Sequence, residues 1–132
     1  MSLAIVNICI DCADPHALGT FWGEVLGIPL ASDDAPGDDE VGLDLPSGQA
    51  LLFLRVPEGK VVKNRLHLCL APPEVDPTRV GASRDAEVER VLALGATVVD
   101  DLRQPDGKGW VVLADPAGNE FCVIRPAEEQ AG

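Results

Sequence analysis

The sequence has 132 residues, of which 46% are hydrophobic and 24% charged, as expected for a single globular domain over residues 1–132. Its 10 basic and 22 acidic side chains give a formal net charge of −12. A field of that sign repels phosphate backbones and anionic lipids, so we expect neither a nucleic-acid nor a membrane partner. No secretory signal is apparent and no apolar run reaches the ~18 residues that cross a bilayer, which predicts a cytoplasmic protein.

The four cysteines, Cys9, Cys12, Cys69 and Cys122, all lie within apolar stretches. In a cytoplasmic protein we expect them to be reduced thiols. Cys9 and Cys12 have the spacing of a redox or zinc pair, but no second pair accompanies them. On a strand, residues three apart point to opposite faces, which argues against a functional pair.

The first half of the chain predicts a strand, a helix and three strands. Residues 4–11 alternate as a strand, and Asp14 and Pro15 then supply an N-cap and a first helical position. Gly27 is the predicted end of this helix, and strands are expected at residues 28–31, 41–45 and 50–56. Apolar residues at helical spacing predict the buried face: Leu18, Phe21, Trp22, Val25 and Leu26.

The second half repeats this order. A strand is predicted at residues 65–71, and a proline-rich loop at 72–82 follows it. Ser83 is the predicted cap of a helix that buries Val88, Val91 and Leu92 and ends at Gly95. The remaining strands are expected at 97–100, 109–114 and 119–125, before a tail at 127–132.

The two halves also match residue by residue. The segment IVNICI aligns with RLHLCL, which places Asn7 over His67 and Cys9 over Cys69. PSGQALLFLR aligns with PAGNEFCVIR, which places Ala50 over Glu120. The sequence therefore predicts a duplicated βαβββ module, the first over about 4–57 and the second over about 65–126.

A duplicated βαβββ module of this length resembles the vicinal oxygen chelate superfamily of glyoxalases, extradiol dioxygenases and bleomycin-resistance proteins. The segments DPHALGTFWGEVLGIPL, ALGATVV and GWVVLADPAGNEFCVIRP are similar to the glyoxalase-like branch. The resemblance implies an α+β fold in which two curled mixed sheets surround a shared cleft. It specifies the fold more closely than the reaction.

The resemblance also implies metal ligands on the first and last strands of each module. The matching positions are Asn7, Ala50, His67 and Glu120. Alanine offers no ligand atom, so the three-ligand arrangement of the extradiol branch leaves Asn7, His67 and Glu120, with asparagine in place of one histidine. Such a set suits Fe, Mn, Ni or Zn, and we predict His67 and Glu120 as catalytic residues. The alternative interpretation of His67 is a structural histidine, and a His67–Glu120 pair without metal would serve as an acid–base couple.

Strand alternation places Cys9 and Asp11 on the face of Asn7, Cys69 on that of His67 and Cys122 on that of Glu120. We predict these four residues, together with the flat side chain of Trp110, as substrate-binding. The alternatives are ordinary burial for the thiols, strand-end solvation for Asp11 and core packing for Trp110.

The function expected from these residues is that of a divalent-metal-dependent lyase, isomerase or dioxygenase acting on a small oxygenated organic molecule. The alternative is a binding protein of the bleomycin-resistance type, whose acidic surface sequesters a cationic drug or metabolite. In either case we expect a small-molecule ligand and a homodimer.

Overall fold

The computed structural model describes residues 2–130, so Ala131 and Gly132 of the predicted tail lie outside the described residues. The chain divides into two compact units, with the boundary between Val61 and Val62. Each unit builds one mixed sheet with a helix against it. No helix within residues 2–130 is long and apolar enough to cross a membrane.

The first unit has three strands and one helix: β1 (Asn7–Cys12), α1 (Pro15–Leu26), β2 (Glu40–Asp44) and β3 (Ala50–Arg55). The sheet order is β1-β3-β2, in which β3 runs parallel to β1 and antiparallel to β2. The buried side chains come from α1 and from alternate strand positions: Leu18, Phe21, Trp22, Val25, Val41, Leu43, Leu51 and Phe53. The apolar face predicted for the first helix is therefore confirmed, apart from the half-buried Leu26.

Local signals place both ends of α1. The Asp14 carboxylate accepts a hydrogen bond from the Ala17 N–H at 3.2 Å, which satisfies one of the free donors of the first turn. Gly27 ends the helix in the left-handed conformation, with φ of 69°. The predicted N-cap and helix end are both confirmed.

The strand predicted at residues 28–31 is wrong. The Ile28 N–H donates to the Gly23 carbonyl oxygen at 2.9 Å, and Pro29 has no N–H to offer a neighbouring strand. A Cβ at Gly23 would lie 2.7 Å from the Ile28 carbonyl oxygen, so the segment packs closely on the end of α1. The first unit therefore has the order βαββ.

The second unit contains the full βαβββ order and a short terminal helix: β4 (Leu68–Leu70), α2 (Ala82–Ala93), β5 (Thr97–Asp101), β6 (Val111–Ala114), β7 (Glu120–Val123) and α3 (Ala127–Gln130). The sheet order is β4-β7-β6-β5, with β4 parallel to β7 and the other pairs antiparallel. Its core comprises Val88 and Val91 of α2 and the inward-facing strand residues Val111, Leu113, Phe121 and Val123. The α+β class with two mixed sheets is thus confirmed.

Two details of the second unit differ from the sequence prediction. Strand β4 covers only Leu68–Leu70 and is shorter than the predicted residues 65–71, and just before that range the Asn64 N–H donates to a Glu120 carboxylate oxygen. Helix α2 begins at Ala82 with Gly81 at its N-cap, so the predicted Ser83 cap is wrong. Gly81 has φ of 81°, and a Cβ there would lie 2.5 Å from the Gly107 carbonyl oxygen, which explains why glycine occupies this position.

A buried arginine connects α2 to the loop before β6. Arg84 is 1% exposed, and its guanidinium donates to the carbonyl oxygens of Gly107 at 2.9 Å and Gly109 at 2.8 Å. It also donates to Asp85 at 2.8 Å, and Asp85 additionally accepts from Arg79 and Arg103. Burial opposes ionisation of Asp85, but these three arginines outweigh it and lower the pKa of that carboxyl. Arg84 thereby fixes the backbone immediately before Trp110.

Candidate functional site

The two faces of the sheet in the second unit differ in burial. In the register of β6 and β7, Phe121 pairs with Leu113 and both are buried in the core. The neighbouring row crosses three strands, because Cys122 pairs with Cys69 on one side and with Val112 on the other. Since side chains alternate along a strand, this second row lies on the face opposite the core.

A cavity of about 340 Å³ lies on this second face. Its polar lining side chains include His67, Cys69 and Cys122. Its other lining residues are Lys63, Trp110, Val112 and Ile124. The volume is near the lower end of the ~300–1,000 Å³ typical of small-molecule pockets. The cavity therefore combines apolar walls with one cationic, one imidazole and two thiol side chains.

The imidazole and the two thiols form a close group. The ligand atoms of His67, Cys69 and Cys122 all lie within 4.8 Å of one another. His67 and Cys69 are exposed, whereas Cys122 is buried. Burial is the largest influence on Cys122 and raises the pKa of its thiol, and the adjacent Cys69 acts in the same direction. Within residues 2–130, no other three His, Cys, Asp or Glu side chains form such a candidate group.

Glu120 lies two residues before Cys122 at the start of β7 and is not part of that group. One of its carboxylate oxygens accepts the Asn64 backbone N–H at 3.1 Å, and the Asn64 side-chain amide donates to the Glu120 carbonyl oxygen at 3.4 Å. These contacts fix the segment before β4 against the start of β7. Glu120 and His67 share a sheet face by strand alternation, and their joint catalytic role stays a prediction.

The remaining predicted site residues lie on β1 of the first unit. Asn7, Cys9 and Asp11 are all exposed, and Asn7 pairs with Ala50 of β3. Cys12 is buried, and its thiol is 3.6 Å from the Leu54 carbonyl oxygen, as expected if Cys9 and Cys12 point to opposite faces. The metal set of Asn7, His67 and Glu120 joins residues of the two units and stays a prediction.

A second cavity, of about 360 Å³, lies in the first unit beside the end of α1. It is lined by Thr20, Gly23 and Glu24 and by the segment 27–30. Glu24 is the only titratable side chain among these lining residues, so this cavity has fewer groups for acid–base or metal chemistry than the cavity of the second unit.

Three lining residues of the second-unit cavity were missed in the sequence analysis. Ile124 lies two residues after Cys122, so strand alternation alone could have placed it on the same face. Val112 required the pairing of β6 with β7. Lys63 lies in the segment between the two predicted modules, where no periodic pattern indicates a position.

The comparisons with known proteins agree with this architecture. Residues 7–124 match the family model described as a glyoxalase-like domain. The chain belongs to this glyoxalase-like family. It is thereby a member of the vicinal oxygen chelate superfamily, as the sequence resemblance implied.

Solved structures with the same fold include proteins with several functions. A lactoylglutathione lyase from Agrobacterium tumefaciens is 25% identical, with a TM-score of 0.61 and 94% of each chain covered. A glyoxalase/bleomycin resistance protein/dioxygenase family enzyme from Burkholderia phytofirmans PsJN is 20% identical, with a TM-score of 0.67 over 93% of this chain and 98% of that one.

A variant of the fosfomycin resistance protein FosX from Listeria monocytogenes, complexed with Mn(II) and 1S,2S-dihydroxypropylphosphonic acid, is 14% identical. Its TM-score is 0.67 over 98% of this chain and 95% of that one. No protein with a curated description matches the sequence significantly. These likenesses establish the fold and leave the reaction to be argued from the site.

Proposed function

We propose that the protein binds a small oxygenated organic molecule in the cavity of the second unit and moves a proton on it, as a lyase or isomerase. The observation that carries this proposal is the cavity itself, which places titratable side chains beside apolar walls on the non-core face of a glyoxalase-fold sheet. Convergence of a few polar groups in an apolar pocket is typical of ligand sites. The lyase among the structures of this fold supports the same reaction class.

The walls favour a ligand with a flat or apolar body and an oxygen substituent. Trp110 is 43% exposed and offers its ring, with Val112 and Ile124 lining the cavity beside it. Such surfaces bind apolar groups by removing them from water. The Lys63 ammonium supplies hydrogen-bond donors to a carboxylate or carbonyl oxygen of the ligand.

His67 is the residue that we propose to move the proton. Its imidazole lines the cavity, and histidine is the side chain whose ordinary titration range is nearest to neutral pH. One ring nitrogen would accept the proton from a ligand carbon or oxygen and return it to a neighbouring atom. Glu120, with one carboxylate oxygen held by the Asn64 N–H, is the proposed second catalytic residue.

The superfamily implies a divalent metal, and the FosX structure contains Mn(II). The imidazole of His67 fits a metal ligand, since it is exposed within the cavity beside two further donor side chains. A metal bound there would supply a Lewis acid to an oxygen of the ligand, and His67 would then hold the metal while Glu120 alone would move the proton. Glu120, which lies in the same unit as His67, is proposed on the resemblance as a further ligand, serving as ligand and base in turn.

A second candidate function is capture of a cationic molecule without chemistry. Residues 1–61 contain 10 acidic and 2 basic side chains, so most of the charge excess lies in that part of the chain. Salt weakens such an attraction because it screens exposed charges beyond about 8–10 Å. Lys63 opposes binding of a cation in the second-unit cavity.

A thermal-shift panel separates the two functions, because a ligand of the native state raises the unfolding temperature. The panel contains small 2-oxo and 2-hydroxy carboxylates, catechols and cationic aromatic compounds, each at low and high salt. We expect an oxygenated member to stabilise the wild type and Val99→Ala, an exposed position on β5, but not Trp110→Ala. Stabilisation only by cations, lost at high salt, would establish the second function instead.

A further inference from the structure

His67, Cys69 and Cys122 line the cavity of the second unit and also form a close group of possible metal ligands. Cys69 and Cys122 are directly paired across the parallel strands β4 and β7, and His67 lies two residues before Cys69 on the same side. The strand register therefore places the two sulfur atoms side by side, and His67, which directly precedes β4, adds an imidazole nitrogen. All three ligand atoms lie within 4.8 Å of one another.

We propose that His67, Cys69 and Cys122 bind one metal ion, and that this site selects Zn²⁺ or a softer cation over Mn²⁺ and Fe²⁺. Two of the three donors are sulfur, and thiolates favour Zn²⁺ and Cu(I), whereas Mn²⁺ prefers oxygen donors. This inference deepens the proposed function, since the metal would lie in the ligand cavity. It assigns different ligands from the Asn7, His67 and Glu120 set that the resemblance implies.

The observed spacing requires only a small adjustment to bind zinc. With Zn–N and Zn–S bonds of ~2.0–2.3 Å, neighbouring ligands of a tetrahedral site lie roughly 3.3–3.8 Å apart. The group must therefore contract by at most about 1–1.5 Å. His67 and Cys69 are exposed side chains and can make this adjustment, while the buried Cys122 stays in place.

Three protein ligands leave one tetrahedral position open, which is the arrangement of catalytic rather than structural zinc sites. Here that position would be available to water or to an oxygen of the organic ligand, because the three side chains line a cavity. Binding converts both thiols to thiolates, so two protons are released to solvent for each Zn²⁺ bound.

The test is metal binding by the full-length protein, freed of metal with a chelator, kept reduced and studied without any organic ligand. We expect one Zn²⁺ per chain, weak or no binding of Mn²⁺, and a sulfur-to-metal charge-transfer absorption band when Co²⁺ replaces Zn²⁺. Cys69→Ser should lower the affinity for Zn²⁺ by at least the ~10–100-fold that loss of an outer-sphere partner causes. Cys69 is exposed, so the metal-free variant should unfold at the same temperature as the metal-free wild type.

Cys12→Ala is the matched control, because it removes a thiol of the first unit and should bind Zn²⁺ as the wild type does. The proposal is overturned if Mn²⁺ binds as tightly as Zn²⁺, if the Co²⁺ complex lacks the sulfur band, or if no metal binds. It is also overturned if Glu120→Gln loses the metal while Cys69→Ser keeps it. Because the organic ligand is absent, failure of the proposed function would leave these results unchanged.

Discussion

Replacement of Arg84 by methionine should destabilise the protein strongly and weaken its ligand site. Methionine keeps an unbranched side chain in the buried space but removes every guanidinium hydrogen bond. Arg84 is 1% exposed and donates to two backbone carbonyl oxygens as well as to Asp85. The perturbation therefore removes the buried partner of an ion pair whose carboxylate, on Asp85, is partly exposed, together with the donors of two loop carbonyls.

The magnitude follows from these contacts. Removal of one partner of a buried ion pair costs ~3–5 kcal/mol, and each unsatisfied buried carbonyl costs ~1–3 kcal/mol. Asp85 retains Arg79 and Arg103, which reduces the first cost, and the loop can relax toward water, which reduces the second. We expect the free energy of unfolding to fall by about 3 kcal/mol.

The assay is urea unfolding followed by far-ultraviolet circular dichroism, with Arg90→Met as the control. Arg90 lies on the same helix but is exposed, and it pairs with Glu87 at the surface, so its loss should change stability by less than ~0.5 kcal/mol. The Arg84 variant should also bind ligand more weakly, because Trp110 follows the loop that Arg84 holds. Equal stabilities of the two variants would refute the structural role of Arg84.

Three further predictions test other contacts of the second unit. Gly109→Ala should lower the free energy of unfolding by about 1–3 kcal/mol in urea titrations, because φ is 91° and a Cβ would lie 2.1 Å from a backbone carbonyl oxygen. Gly59→Ala, in open space, should have little effect, and equal losses would contradict this reason. Hydrogen bonds from Arg103 lower the pKa of Asp101 to about 2. The stabilisation of the folded protein by these hydrogen bonds is therefore fully present above the ordinary pKa of 3.8 and is lost as the pH falls through 2. The stability difference between wild type and Asp101→Asn should therefore shrink between pH 4 and pH 2; a constant difference would oppose it. Burial raises the pKa of the Cys122 thiol, so metal-free protein should alkylate there more slowly at pH 8 than unfolded protein, as measured by peptide mass spectrometry; equal rates would contradict it.

Local sequence signals correctly predicted the ends of a helix where a single residue determines each end. Asp14 and Gly27 mark α1 because capping and left-handed backbone are properties of single residues. The start of helix α2 was misplaced by two residues because its N-cap is Gly81, whose conformation is required by the distant Gly107 carbonyl oxygen. Such a long-range contact has no signature in the neighbouring sequence.

The candidate site was predicted in part, for a similar reason. Strand alternation predicts Cys69 and His67 on one face, where their ligand atoms lie close together, but it does not predict that the Cys122 sulfur lies beside them. That outcome depends on the parallel register of β4 and β7 and on the hydrogen bond that holds the Glu120 carboxylate to the Asn64 N–H. Neither follows from the period of a single strand.

The two tryptophans allow a direct measurement of whether the organic ligand binds in the cavity of the second unit. A ¹H–¹⁵N spectrum contains one indole signal for each of Trp22 and Trp110, and Trp110→Phe assigns them. Trp110 lines this cavity, whereas Trp22 is buried on α1 next to Gly23, which lines the cavity of the first unit. On titration with a stabilising ligand, we predict a saturable shift of the Trp110 signal and an unchanged Trp22 signal. A saturable shift of Trp22 alone, or of neither signal while the ligand stabilises the protein, would contradict the account.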